Sequence, residues 1–294
     1  MILAEDGILA PTDLVYRHIP EFDGRGKNRV TIAHLLTHTS GIDDEKAWNL
    51  SAEELQSVAV PLGRDRQKVQ HLYAMCRMEN KNPPGVAMSY CSLGINLVGE
   101  IIERVTGRTL DVLFAERIFE PLGMSSTYLN VPENVLDQIV DYPANSYFGN
   151  SKKRLNQYSA SSGAYSTARD LSIFAQMLLN RGVYNGTRIL SRLSVEAMTR
   201  NQIPGISAIH DGVRFREAGW GFSLMISLDK YDETGTLRSP ETYGHSGAGC
   251  SMFIVDPTNN IVATLMYCTM KKDNDDFFER RFDRFYNMIM SGVI

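Results

Sequence analysis

No apolar run in this sequence approaches the roughly 20 residues that a membrane-spanning helix needs, so no transmembrane segment is expected. The opening stretch, Met1 to Gly7, has neither the basic flank nor the apolar core of a signal peptide. Basic charge is in deficit as well. Lys and Arg number 30 against 34 Asp and Glu, a formal net charge of −4, which gives no electrostatic reason for nucleic acid or an anionic membrane as partner. Cysteine is sparse and scattered: Cys76, Cys91, Cys250 and Cys268 form no Cys-x-x-Cys pair. Neither a zinc site nor a redox dithiol is expected from that spacing, and a chain this long calls for no disulfide framework. The thiols read as small buried apolar groups. His34 and His38 stand four apart, but Leu35 occupies the position where a zinc-protease helix needs Glu. Those imidazoles are expected to bond backbone groups, with no metal.

What is present is core material. The chain has 294 residues, 43% hydrophobic and 22% charged, enough for one large domain or two modest ones. Its organising stretch is Pro84-Gly85-Val86-Ala87-Met88-Ser89-Tyr90-Cys91-Ser92-Leu93-Gly94 and the helix that follows. Leu93, Leu97, Val98, Ile101, Ile102 and Val105 recur at steps of three and four, and Gly107 follows as a stop. This mounts Tyr90 and Ser92 on a loop held by a rigid element, as catalytic groups commonly are.

Thr31 is expected to cap a helix over 32–37, and Ser51 with Glu54 forms a capping box. Helices are expected from Arg66 to Glu79, Leu110 to Ile118 (broken at Pro121), Leu171 to Asn180 and Ile189 to Thr199, with 130–148 as loop. After about Gly212 strands take over: Gly219 to Ile226, Tyr243 to Ser246, Cys250 to Val255 and Ile261 to Thr269. A hairpin turn at Asp256-Pro257-Thr258-Asn259-Asn260 joins the last two. Asn274 to Met290 closes the chain as an amphipathic helix with Phe277, Phe278, Phe282, Phe285 and Ile289 on one side. The expected class is α/β (α+β), an antiparallel sheet flanked by helices plus a mainly helical subdomain. The helical part covers 23–211 and the sheet part covers 1–22 with 212–294, with a cleft where they meet.

Several motifs then fall into one order. Val30-Thr31-Ile32-Ala33-His34-Leu35-Leu36-Thr37-His38-Thr39-Ser40-Gly41, Ser89-Tyr90-Cys91-Ser92 with its helix, the Ser166-Thr167-Ala168-Arg169-Asp170 run, Gly182-Val183-Tyr184-Asn185-Gly186 and Gly244-His245-Ser246-Gly247 span nearly the whole chain. Together they resemble the β-lactamase-related serine hydrolases: class C β-lactamases, penicillin-binding DD-peptidases, D-aminopeptidases and related esterases. The resemblance implies a β-lactamase/transpeptidase-like domain over 1–294. It implies acyl transfer through a serine, without metal or cofactor, on a small-molecule or peptide substrate: a β-lactam, a D-amino peptide or an ester. Such a family supplies a nucleophile and base as Ser-x-x-Lys at the start of a buried helix, a Tyr-x-Asn loop, and a Lys-Thr-Gly or His-x-Gly strand. Carried onto this chain, Tyr90 is the phenol that shuttles protons and Ser92 stands where Asn is usual. His245, Ser246 and Gly247 are the third element, and the Ala248 N–H is an oxyanion donor.

Two departures accompany the resemblance. Ser92 lacks the amide's paired donor and acceptor, which leans the substrate towards an ester. The Ser-x-x-Lys of the family lies upstream of the segment matching Met1 to Gly7, so this chain is expected to lack the N-terminal strands, the nucleophile helix and the nucleophile itself. It is then inactive as written, or a binding remnant without chemistry. The one Ser-x-x-Lys present, Ser227-Leu228-Asp229-Lys230, falls at a strand end, where Ser and Lys do not share a helical face. Cys91 as a substitute nucleophile lacks an identifiable cation nearby. The strand Ile261 to Thr269 is expected to lose its neighbour and to self-associate through an exposed edge. Localisation is left open, since full-length members of such a family are often extracytoplasmic.

Overall fold

The computed structural model describes residues 1–61, 65–141, 155, 157–210, 213–229, 234–247, 249, 251–267 and 275–293. In chain order the helices are α1 (Ile2–Glu5), α2 (Val15–His18), α3 (Ile32–Leu36), α4 (Asp44–Trp48), α5 (Ala52–Gln56), α6 (Arg66–Arg77), α7 (Ser92–Thr106), α8 (Leu110–Phe114), α9 (Glu120–Leu122), α10 (Ala168–Leu179), α11 (Arg192–Thr199) and α12 (Asp275–Met290). The strands are β1 (Val183–Tyr184), β2 (Thr187–Arg188), β3 (Ala208–His210), β4 (Val213–Phe215), β5 (Met225–Ile226), β6 (Tyr243–Gly247), β7 (Ser251–Asp256) and β8 (Ile261–Met266). Internal packing divides them into two units: 1–110 with 159–162 and 202–218, and 111–158 with 163–201 and 219–294. No helix among the described residues is long and apolar enough to cross a membrane.

The first unit is built on α7. Leu93, Leu97 and Ile101, one turn apart, are fully buried, and Val98 and Val105 pack against the same core. Val15 and Ile19, Leu35, Leu72 and Met75 close round them from α2, α3 and α6. Fully burying each such side chain contributes about 1.5–3 kcal/mol. Gly107 ends the helix in the left-handed conformation at φ +65°, its N–H bonded to the Glu103 carbonyl. Thr31 and Ser51 both cap as their spacing predicts, and Ser51 with Glu54 completes its capping box.

The second unit centres on the antiparallel order β5-β6-β7-β8. Met252 and Ile254 of β7 join Ala263 of β8 under Phe282 and Tyr286 of α12. Phe253, alternating to the other face, meets Phe174 of α10 edge-on at 6.1 Å. Helices therefore cover both faces, which is why β7 is apolar at successive positions rather than alternately. Phe277 and Phe278 were expected on the same stripe of α12; their side chains lie outside the described residues.

Three expected stretches differ. The stretch Gly219 to Ile226 alternates like a strand, yet it folds back on itself: Trp220 bridges to Met225 and the Gly221 N–H bonds the Leu224 carbonyl at 2.8 Å. Only Met225–Ile226 joins the sheet. The helix begun at Leu110 does not stop before Pro121. It passes through a π turn at Ala115–Phe119 into α9, where Pro121 sits in the first turn and needs no N–H, and Gly123 closes it. Within 130–148, expected to be loop, Glu133–Gln138 is a short 3₁₀ helix. Residues 142–148 lie outside the described ones.

The β7–β8 turn is fastened by a fully buried carboxylate. Asp256 accepts the Ser239 N–H and hydroxyl at 2.9 and 2.8 Å and the Asn259 N–H and side-chain amide at 3.0 and 2.9 Å. Burial opposes the charge, but these bonds outweigh it and hold the carboxyl below its ordinary value of 3.8. The folded protein thus binds this proton less readily than the unfolded chain. The stabilisation is whole above 3.8 and is lost as pH falls through the lower folded value. Denaturant unfolding across the acid range is expected to show stability falling there in the native protein. The fall should be smaller in Asp256→Asn, which carries no titrating group.

Candidate active site

The loop that carries Tyr90 is stitched, bond by bond, to the turn after α3. His38 there adopts φ +56° although it is not glycine, and it is almost completely buried. Its carbonyl accepts the Ser89 N–H at 2.9 Å, and its Nδ1 accepts the Cys91 N–H at 3.1 Å. Next along, the Thr39 carbonyl takes the Gly85 N–H at 2.8 Å, the Ser40 carbonyl the Asn80 side-chain amide at 2.9 Å, and the Gly41 carbonyl the Lys81 N–H at 2.7 Å. Four consecutive residues of the Thr37-to-Gly41 motif therefore template the loop. His34 works one turn earlier, its Nδ1 accepting the Thr31 N–H at 3.1 Å. Both histidines bond backbone, as their sequence setting suggested.

Tyr90 leaves this scaffold with half its surface exposed and its ring on the His38 imidazole, centroids 4.3 Å apart. Its phenol is pushed above the usual tyrosine value, first by burial, then by the charges of Asp44 and Cys91. At neutral pH it is a proton donor. Cys91 follows as the cap of α7: its Sγ accepts the Gly94 N–H at 3.2 Å. The thiol is buried and pushed strongly upward, by burial and by Asp44, whose Oδ1 lies 3.5 Å away. Its neighbour is an anion, the opposite of what a nucleophilic thiolate needs. Ser92 is the first residue of α7, and its N–H is bonded to Asp44 Oδ2 at 3.1 Å.

In the second unit, His245 lies on β6 opposite Phe253 of β7. Its Nδ1 donates to the Ser246 carbonyl at 2.5 Å. The Trp220 ring stands against the imidazole at 85°, centroids 5.9 Å apart. Ser246 and Gly247 continue the strand, paired with Met252 and Ser251. Gly244 is fixed by close approach, since a Cβ there would lie 2.1 Å from the Phe253 carbonyl oxygen. Ala248, expected to supply an oxyanion N–H, lies outside the described residues. So the first unit brings Tyr90 and Ser92 together, and the second brings His245, Ser246 and Gly247 together.

The alternative serine is closed off. Ser227 is 3% exposed, and its Oγ accepts from Arg238 Nε at 2.7 Å. A cation occupies a lone pair of the oxygen that would have to attack. Lys230, its expected partner, lies outside the described residues. Two other motifs prove to be scaffold. Thr167 caps α10 through the Asp170 N–H at 3.1 Å, while the buried Asp170 carboxylate accepts the Ser126 N–H and Thr127 hydroxyl at 2.8 and 2.9 Å. Asn185 and Gly186, at φ +45° and +80°, turn the β1–β2 hairpin. Among the described residues no group of three or more His, Cys, Asp or Glu is placed to hold a metal ion.

The family model described as "Beta-lactamase" matches residues 1–287. The chain belongs to the Beta-lactamase family. Its architecture is the β-lactamase/transpeptidase-like fold that the motifs implied. It is 30% identical over 281 residues to "Penicillin-binding protein 4" of Amycolatopsis lactamdurans, covering 90% of this chain and 67% of that protein. Over 293 residues it is 26% identical to a "Putative D-alanyl-D-alanine carboxypeptidase" of Escherichia coli, covering 90% of this chain. The chain spans 64% of the length of that relative. A solved penicillin-binding protein homologue from Caulobacter crescentus superposes with a TM-score of 0.74 at 22% identity, covering 97% of this chain and 78% of that one.

Proposed function

We propose that this chain is the tyrosine- and histidine-bearing part of a serine acyl hydrolase working through an acyl-enzyme on a β-lactam, a D-amino peptide or an ester. The observation that carries this reading is the mounting of Tyr90. A half-exposed phenol stands at the N-terminus of a fully packed helix, on a loop tied by four consecutive residues of the Thr37-to-Gly41 motif. In this reading a serine Oγ attacks the substrate carbonyl and its proton goes to the lysine. As the acyl bond to the leaving group breaks, that proton passes through Tyr90 to the leaving group. Ser92 holds the substrate, and His245, Ser246, Gly247 and the Ala248 N–H meet the oxyanion. The acylating serine and its lysine come from a segment other than residues 1–294, because the single Ser-x-x-Lys here has its serine buried under Arg238.

A fluorophosphonate or β-lactam probe tests this directly. The 294-residue chain is expected to stay unlabelled. The same chain extended upstream by a Ser-x-x-Lys segment from a relative is expected to be labelled at that serine, and Tyr90→Phe should slow labelling by about 10²-fold or more. Stoichiometric labelling of Ser227, mapped by mass spectrometry, would sink the proposal. An extended chain that folds, binds the β-lactam reversibly and never acylates would favour the second reading, a ligand- or partner-binding remnant.

We also propose that the isolated chain self-associates through β8. This strand ends the sheet order, pairs with β7 alone among the described residues, and reads Ile-Val-Ala-Thr-Leu-Met. An apolar edge with free ladder positions is a template for a second copy. Light scattering at increasing concentration should show dimers or larger species, reduced by Val262→Lys or by an added strand peptide. A monodisperse monomer throughout contradicts it.

A further inference from the structure

Asp44 belongs to none of the motifs that drew attention to this region. It opens α4, yet α4 is capped by Asp43, which takes the Lys46 N–H. The Asp44 carboxylate instead reaches another helix: Oδ2 accepts the Ser92 N–H at 3.1 Å and Oδ1 the Leu93 N–H at 3.0 Å. The Cys91 thiol approaches the same Oδ1 at 3.5 Å. We propose that Asp44 is the positioning residue of Tyr90, clamping the first turn of α7 to α4 and placing its negative charge beside the phenol.

An α-helix begins with four N–H groups that have no partner within it. In α7 the Gly94 N–H goes to Cys91 Sγ, and those of Ser92 and Leu93 go to Asp44. The start of the helix is thereby defined from outside by a residue 48 positions earlier than Ser92. Tyr90 sits two residues before that start, so its place follows from where the clamp holds the chain. A carboxylate at a helix N-terminus is also favoured by the helix dipole.

That charge has a chemical consequence. Among the groups facing Tyr90 are Asp44 from α4, the His38 ring from the turn after α3, and the Cys91 thiol next in the chain. His38 Nδ1 accepts the Cys91 N–H, so it bears no proton at that atom. None of these three supplies a cation to stabilise a phenolate, and Asp44 opposes one. Tyr90 therefore releases its proton less readily, and a cation brought by substrate or by the lysine of the acylating segment would offset Asp44. This last step rests on the function proposed above; the clamp and the charge do not.

The test reads the phenol and the helix start in the 294-residue chain, without any acyl transfer, so a failure of the labelling experiment leaves it intact. Tyrosine labelled with carbon-13 at the ring carbon bearing the hydroxyl is titrated by NMR, with the Tyr90 signal assigned by its loss in Tyr90→Phe. Asp44→Asn keeps the shape and an acceptor oxygen but removes the charge. The Tyr90 midpoint is expected to fall by about one pH unit. Asp44→Ala should lower it likewise and speed amide exchange at Ser92 and Leu93 by about tenfold or more, with exchange in α10 unchanged. A Tyr90 midpoint unmoved in Asp44→Asn, or exchange at Ser92 and Leu93 unmoved in Asp44→Ala, overturns the proposal. If Asp44→Ala does not fold, the Asp44→Asn titration decides.

Discussion

Replacing Arg104 with methionine is expected to destabilise the protein by about 3–5 kcal/mol, the usual consequence of stripping one partner from a buried charge. Arg104 projects from α7 into a cluster with few alternatives. Its Nε donates to Glu100 at 2.9 Å, one NH group donates to the Tyr73 hydroxyl at 2.5 Å, and the other reaches the His18 carbonyl at 3.1 Å. Glu21 closes the outer side at 3.3 Å. Glu100 is 4% exposed and Tyr73 2%. The Tyr73 phenol, pushed up to about 12 by burial and by Glu100, stays a donor to that carboxylate at 3.0 Å. Methionine fills the stem of the arginine and supplies none of its N–H groups, so the buried Glu100 loses the Nε donor. Urea unfolding at neutral pH measures the loss, against a total of about 5–15 kcal/mol for a typical domain. The double change Glu100→Met with Arg104→Met should recover most of it, because the pair is then replaced by packing rather than broken. A single-variant loss under about 1 kcal/mol, the value of an exposed pair, would show that the cluster is solvated.

The elements that were legible in the sequence are those whose pattern is local. The α7 stripe, the Ser51 capping box, the Gly107 stop and the 256–260 turn each rest on residues within a few positions of one another, and the structure holds all four. The stretch 219–226 misled because alternation is typical of a half-buried strand but does not exclude a tight turn. The decisive contact, the Phe222 N–H on the Met198 carbonyl at 3.0 Å, is remote in sequence. The β3–β4 hairpin went unread although Asp211-Gly212, a strong two-residue turn signal, stands between its strands. Lys27 was illegible for another reason. In a glycine-rich turn it reads as a solvated charge, yet it is buried, bonded to the Met78 carbonyl and lying over the Phe22 ring.

The same division runs through the site. Tyr90 and His245 could be named from motifs because the motifs contain them. Asp44 could not, since what it does depends on α4 meeting α7 across 48 positions of chain. Nor could sequence separate motif residues that touch chemistry from those that hold the frame. Thr167 and Asp170 look as prominent as Tyr90 until their bonds assign them to a helix cap and a neighbouring turn.

Gly41 is the frame residue whose loss should be felt most at Tyr90. Its φ is +79°, and a Cβ there would lie 1.9 Å from the backbone carbonyl oxygen of Asn82, with no flexible side chain to yield. Alanine would have to move either the turn or the loop that the turn templates. The left-handed conformation alone costs a non-glycine residue about 1–2 kcal/mol. Gly7 supplies the control for that term: its φ is +72° with nothing within 4 Å of the added carbon. Gly7→Ala is therefore expected to show the conformational cost by itself. Gly41→Ala should exceed it by about 1–3 kcal/mol, the usual range for forcing extra volume into a packed place. The distribution of the damage is the sharper readout. The Lys81 N–H bonds directly to Gly41, and the bonds of Gly85 and Ser89 to Thr39 and His38 lie next along the same seam. Amide exchange at Lys81, Gly85, Ser89 and Cys91 should rise together in Gly41→Ala, while the middle of α7 stays protected. The Tyr90 ring should lose its fixed place on His38, seen as a change in its NMR line shape that Gly7→Ala does not produce. Equal stability loss in the two variants, with exchange at Ser89 and Cys91 unaffected, would mean that the turn does not hold the tyrosine.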